Sequence, residues 1–299
     1  MILPDLFLKE FANKTFTVSG IDSLQHAFDK KHFLNYPNKI LYNYNTRGFR
    51  DSEWPDSLKD KIWCIGDSFT VGLGSPYEYI WPQVLQAKSG QRCINISMDG
   101  ASNEWIARKA ISIINEIEPK FIIIHWSFIW RTELDNQTLP DEKRRLYFLP
   151  DDNFASALSR FVATVKKLES QKKSTRIIYS TIPGFTDYTV GGLQHLWRQF
   201  KGSDWPNHAI TSIEDFRRLP EFIKKELENL LNFTEENFTL FLQEYSSLAS
   251  KTTWIEPFTK LDLARDGFHY DIITANKFAE KIAYLICNCN GASNTISSS

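Results

Sequence analysis

Five short apolar runs punctuate the chain: KIWCIG (61–66), QRCINIS (91–97), KFIIIHWS (120–127), TRIIYSTI (175–182) and TTWIEPF (252–258). Their apolar positions are continuous rather than alternating, the pattern of strands covered on both faces. Between them, helical periodicity predicts helices at about 79–89, 103–117 and 154–171, and a last one over 271–286. Strand and helix alternating in this way predict a doubly wound parallel α/β sheet.

Two stretches break the rhythm. Residues 1–60 precede the first strand, and NYNTRGFRDSEWP (43–55) is rich in turn formers and aromatics, so this part is expected to wrap the sheet. Residues 185–250 fall between the fourth and fifth strands. There a loop, GGLQHLWRQFKGSDWP, leads into predicted helices near 213–231 and 235–250, with Thr234 placed to cap the second. Such a helical insertion is expected to cover the strand C-termini, the edge at which open α/β sheets bind ligands. The main unit therefore spans 61–286, and 287–299, ending in NGASNTISSS, is expected to be a flexible tail.

Charge narrows the choice of partners. Lys+Arg number 35 against 36 Asp+Glu, so nothing pulls the chain in bulk toward nucleic acid or acidic lipid. A hydrophobic fraction of 42% with 24% charged residues is that of an ordinary globule with a sizeable core. No apolar run is long enough for an ordinary transmembrane helix. The opening MILPDLFLKEF lacks a basic leader and carries Asp5 and Lys9, so a cytoplasmic location is the default expectation. The four cysteines, at 64, 93, 287 and 289, show no metal-ligand spacing; reduced thiols and no metal or cofactor are expected.

The sharpest chemical signal is Gly66-Asp67-Ser68-Phe69-Thr70, where the first strand should give way to a turn and a helix. A serine there can present its hydroxyl at the strand end, but it needs a base to become a nucleophile. Of six histidines, His269 alone follows the last strand with a carboxylate three residues upstream, in Asp266-Gly267-Phe268-His269. On a tight loop Asp266 can reach one imidazole nitrogen while the other faces the serine. His125 reads as a packed strand-end histidine, and Asp67 as serving the backbone of its turn.

These motifs resemble those of the SGNH/GDSL hydrolase superfamily, over roughly residues 61–286. The resemblance implies a flavodoxin-like three-layer α/β/α sandwich with a five-stranded parallel sheet. It also implies ester hydrolysis through a serine acyl-enzyme: Ser68 attacks, His269 moves the proton and Asp266 orients the imidazole. In that family the serine N–H, a glycine after the second strand and an asparagine after the third form the oxyanion hole. Here Gly100, in Ile96-Ser97-Met98-Asp99-Gly100, supplies the glycine. The third strand instead runs into His125-Trp126-Ser127-Phe128-Ile129-Trp130-Arg131-Thr132-Glu133, without the asparagine. Ser127 is the positional substitute, because a hydroxyl can donate one hydrogen bond, while Asn103 and Arg131 are neighbours that could reach inward. Arg131-Thr132-Glu133 reads equally as an ion pair or as contacts to polar groups of a substrate.

Aromatic residues make up 14% of the chain. Trp81, Trp105, Trp126 and Trp130 lie on or just after the segments that carry Ser68, Gly100 and Ser127, with Trp197 and Trp205 in the insertion. Such a cluster fits either stacking on sugar rings or packing in a core. Asn45 to Glu53 also resembles a stretch preceding the first strand in some polysaccharide-modifying SGNH proteins. The function expected is hydrolysis of a small acyl ester, an O-acetyl group on a glycan. The alternatives are an O-acyltransferase on the same triad and a catalytically silent glycan-binding or structural relative.

Overall fold

The computed structural model describes residues 3, 5–18, 31, 33–34, 36–37, 39–134, 138–146, 153–181, 213–219, 221–255 and 260–291. Its centre is a sheet of β1 (Ile62–Gly66), β2 (Cys93–Ser97), β3 (Phe121–Trp126), β4 (Arg176–Thr181) and β5 (Thr253–Trp254). The strands run parallel in the order β2-β1-β3-β4-β5, the flavodoxin-like order expected. Every residue of β1, β2 and β3 is buried, which is why their apolar runs do not alternate. β5 is the short edge strand; Ile255 N–H carries its ladder on to the Tyr179 carbonyl at 2.8 Å.

The helices are α1 (Ser68–Val71), α2 (Trp81–Ser89), α3 (Asn103–Glu116), α4 (Asp141–Arg144) and α5 (Phe154–Glu169). They continue with α6 (Ile213–Arg217), α7 (Glu221–Leu231), α8 (Glu235–Ala249) and α9 (Ile272–Gly291). α2 packs with α9 on one face of the sheet and α3 with α5 on the other, giving three layers. Successive residues of β3 show the division. His125 meets Phe278 of α9 at 5.1 Å, whereas Trp126 meets Phe161 of α5 edge-on at 5.6 Å.

Side-chain caps set the helix starts. Ser102 Oγ accepts the Trp105 N–H, Asn153 Oδ1 the Ser156 N–H, and Thr234 Oγ1 the Asn237 N–H. α9 runs to Gly291, past the 286 expected, with Ile282 and Ile286 buried along it. Residues 292–299 lie outside the described part.

Ahead of the sheet, Thr15–Phe16 pairs antiparallel with Tyr42–Asn43, and Leu3, Leu6, Leu8 and Phe49 enter the main core. The insertion's helices carry a ring cluster onto the start of α5: Phe154 meets Phe233 at 4.6 Å and Phe241 at 5.8 Å. Its loop over 185–212, with Trp197 and Trp205, lies outside the described residues. Among the described residues, no helix is long and apolar enough to cross a membrane.

Candidate active site

The β1 exit folds back on itself at once. A Cβ on Gly66 would lie 2.1 Å from Thr70 Oγ1, so only glycine admits the turn. Asp67 Oδ1 then accepts the Phe69 N–H at 3.0 Å and starts the single turn of α1, as expected of its place in the motif. Ser68 is the first residue of that turn and is 1% exposed.

The loop before α9 comes to meet it. Gly267 N–H donates to the Ala264 carbonyl, and Ala264 N–H to the His269 carbonyl, closing a tight loop. Asp266 Oδ1 accepts the N–H groups of Phe268 and His269 at 2.9 and 3.0 Å, while Oδ2 bonds His269 Nδ1. His269 Nε2 lies 2.8 Å from Ser68 Oγ. The structure thus brings together Ser68, Asp266 and His269. Burial alone pushes the Asp266 carboxyl up, but the His269 hydrogen bond and charge and the two N–H groups bring it below its ordinary value. With the Nδ1 proton shared with Asp266, Nε2 is the acceptor that faces the serine hydroxyl. The Phe69 and Phe268 rings close on the imidazole at 4.5 and 5.1 Å.

Gly100 follows β2 beside this turn. Gly66 and Ser97 are register partners, and Met98 N–H donates to the Gly66 carbonyl at 3.3 Å. A turn closed by Ala101 N–H on the Met98 carbonyl then carries Gly100 at φ +72°.

The β3 exit departs from expectation. Ser127 Oγ donates its one hydrogen to Asp67 Oδ2 at 2.6 Å and accepts from Arg131 Nη1 at 2.9 Å. Arg131 Nη1 also reaches Asp67 Oδ2 at 2.8 Å, and its guanidinium covers the Phe128 ring at 4.6 Å. Asn103 Nδ2 donates to the Ser127 and Phe128 carbonyls at 3.2 Å, and its Oδ1 accepts the Ser127 N–H at 2.9 Å. The three side chains considered for a third oxyanion donor, Ser127, Asn103 and Arg131, are therefore bound to one another, to backbone and to Asp67. The reason is the buried Asp67 carboxylate, which gathers the donors that its burial makes necessary. Arg131 and Glu133 belong to separate ion pairs, the latter with Arg108 at 2.8 Å.

Trp126, considered for substrate contact, is instead fully buried and stacks on Tyr179 at 5.9 Å. Trp81, Trp105 and Trp130 are also fully buried, so none of these four offers a face to a sugar. His125 Nε2 lies 2.9 Å from the Thr181 carbonyl, and burial pushes its pKa down to about 4. Asp67 as an ionic hub was missed in the sequence; the faint signal was an arginine four positions after a strand-end serine. Among the described residues, no cluster of three or more His, Cys, Asp or Glu could hold a metal ion.

No family model and no curated protein matches the chain. Solved structures to which it is similar include a carbohydrate esterase family 2 enzyme of Corynascus thermopiles (Myceliophthora fergusii) with a carbohydrate-binding domain. That match has 13% identity, covers 80% of this chain and 69% of that one, and has a TM-score of 0.44. A family two carbohydrate esterase from Clostridium thermocellum, in complex with cellohexaose, matches at 13% identity over 80% and 67% of the two chains, TM-score 0.44. A lipase/acylhydrolase from Enterococcus faecalis matches at 14% over 76% and 95%, TM-score 0.40.

Proposed function

We propose that the chain is a serine esterase that hydrolyses a short acyl ester through an acyl-enzyme on Ser68. The observation that carries this reading is the 2.8 Å approach of His269 Nε2 to Ser68 Oγ, with Asp266 on the far nitrogen. Ser68 Oγ attacks the ester carbonyl carbon while its proton passes to His269 Nε2. The bond to the alcohol oxygen then breaks as His269 returns the proton to it. Water, deprotonated by the same nitrogen, attacks the acyl carbon, and the bond to Ser68 Oγ breaks as His269 Nε2 returns the proton to that oxygen, freeing the acid and restoring the serine hydroxyl. Asp266, lowered in pKa, stays ionised and steadies the imidazolium. The N–H groups of Ser68 and Gly100 are the proposed oxyanion donors.

The rings of Phe69 and Phe268, with Phe128 stacked on Phe268 at 6.4 Å, crowd the imidazole and favour a small acyl group. We propose a carbohydrate O-acetyl ester as substrate, on the likeness of Asn45 to Glu53 to polysaccharide-modifying proteins. The burial of Ser68 favours as a second reading transfer of the acyl group to a sugar hydroxyl. Acetate release from acetylated polysaccharides and from p-nitrophenyl acetate, with and without sugar acceptors, tests both. Release that Ser68→Ala abolishes is expected; acetylated acceptor in its place would favour transfer, and no turnover of any ester would refute the enzyme reading.

A further inference from the structure

We propose that Arg50, in the segment before the sheet, is a positioning residue that holds the Ser68 turn in register with the His269 loop. The proposal rests on the esterase reading above. Arg50 is fully buried. Its Nη1 donates to the carbonyls of Val71 and Gly72 at 2.9 and 2.7 Å, and its Nη2 to that of Ser75 at 2.9 Å. Its guanidinium also lies over the Tyr42 ring at 4.3 Å. α1 is one turn long, too short to persist by its own hydrogen bonds, and the carbonyls at a helix end lack helical partners. Arg50 supplies those partners from outside the helix.

The turn it grips is also the one that touches the base. Gly74 N–H donates to Tyr42 Oη at 2.9 Å, and the Gly74 carbonyl accepts the Arg265 N–H at 3.2 Å. At Gly74, φ is +77°, and a Cβ there would lie 2.9 Å from that of Ala264 and 3.1 Å from Asp266 N. Ser75 Oγ donates to Asp271 Oδ1 at 2.8 Å. Residues 71–75 therefore sit between Arg50 and the segment 264–271 that carries Asp266 and His269. Arg50 is in turn anchored: Asn95 Nδ2 donates to both the Arg50 and Thr70 carbonyls at 3.2 Å. A planar guanidinium can serve three carbonyls in this fixed geometry, and an ammonium on a flexible stem cannot.

The test compares wild type with Arg50→Lys. Acylation by p-nitrophenyl acetate is timed per site titrated to completion with a fluorophosphonate, so that misfolded protein does not count, and amide exchange is followed segment by segment. Expected are an acylation rate lower by about 10- to 100-fold with the ester dissociation constant, read from the concentration dependence of that rate, within about twofold, the scale of a small misplacement of a reacting group. Exchange should rise in 69–75 and in 264–270 together, with α5 unchanged. An unchanged acylation rate, or exchange that rises in 69–75 alone, overturns the proposal. A wild type that turns over no ester would refute the esterase reading, and the exchange result alone would then decide the coupling. Should Arg50→Lys fail to fold, Tyr42→Phe, which removes one bond to the same turn, takes its place with the same joint exchange expected and the same contrary outcomes.

Discussion

Two polar corners share the C-terminal edge of the sheet, each built on a carboxylate beside the Ser68 turn, and they are put together in opposite ways. In one, Asp266 holds a single imidazole and two N–H groups of its own loop, and the second imidazole nitrogen is left facing Ser68 Oγ. In the other, Asp67 draws in Ser127 and Arg131, and Asn103 fastens the loop on which Ser127 stands. The first corner ends on a serine hydroxyl and the second closes on the protein itself. A polar side chain at the right place in the chain is thus no evidence of chemistry until its hydrogens are traced. Ser127 occupies the position of an oxyanion donor and spends its only proton on Asp67.

The sharpest way to break this contrast is at the serine. Ser68→Ala should lower kcat for p-nitrophenyl acetate by about 10⁴–10⁶ while the thermal transition stays close to that of wild type. A residual rate above a tenth of wild type would contradict the role given to the first corner. In the second corner the expected damage is to stability. Arg131→Met leaves the Asp67 carboxylate buried without its cation and should cost about 3–5 kcal/mol in urea unfolding. A loss under about 1 kcal/mol would mean that Asp67 does not depend on that pair.

His125 offers a pH test of the same edge. Burial holds it neutral in the fold, with a pKa of about 4, whereas the unfolded chain takes up the proton near 6.5. The unfolded state therefore binds more protons between these values, so stability should be full above about pH 6.5 and fall as the pH drops toward 4. Urea midpoints across this range should show the slope, and His125→Asn should flatten it; an unchanged slope would assign it to other groups. The smallest effect is expected at Ser127. Ser127→Ala should cost about 1–3 kcal/mol of stability and change kcat by less than about threefold, against the 10²–10³ of a lost oxyanion donor. A loss of two orders in kcat would show that the hydroxyl turns from Asp67 to the substrate.

The sheet was legible because its strands are buried on both faces, so their apolar runs are uninterrupted and the helical periods between them stand out. The three residues that meet at Ser68 could be named because each lies next to a strand end or on a tight loop, where topology decides position. The hub at Asp67 was not legible, since its partners come from the same edge but from different loops, and nothing in their order along the chain pairs them. Nor was the burial of Trp81, Trp105, Trp126 and Trp130, because a tryptophan suits a core and a sugar equally well. Arg50 was hidden in another way: charge in a turn-rich segment reads as solvent-facing, yet its carbonyl partners let it be buried.

The most direct measurement is of the proposed nucleophile itself. Wild type and His269→Ala are treated with a fluorophosphonate, which forms a stable bond only with an activated serine, and the adduct is located by peptide mapping. An adduct on Ser68 in the wild type, at least about a hundredfold slower to form in His269→Ala, is the expected result. An adduct on another serine, or labelling of Ser68 that does not depend on His269, would contradict a site built from Ser68, His269 and Asp266.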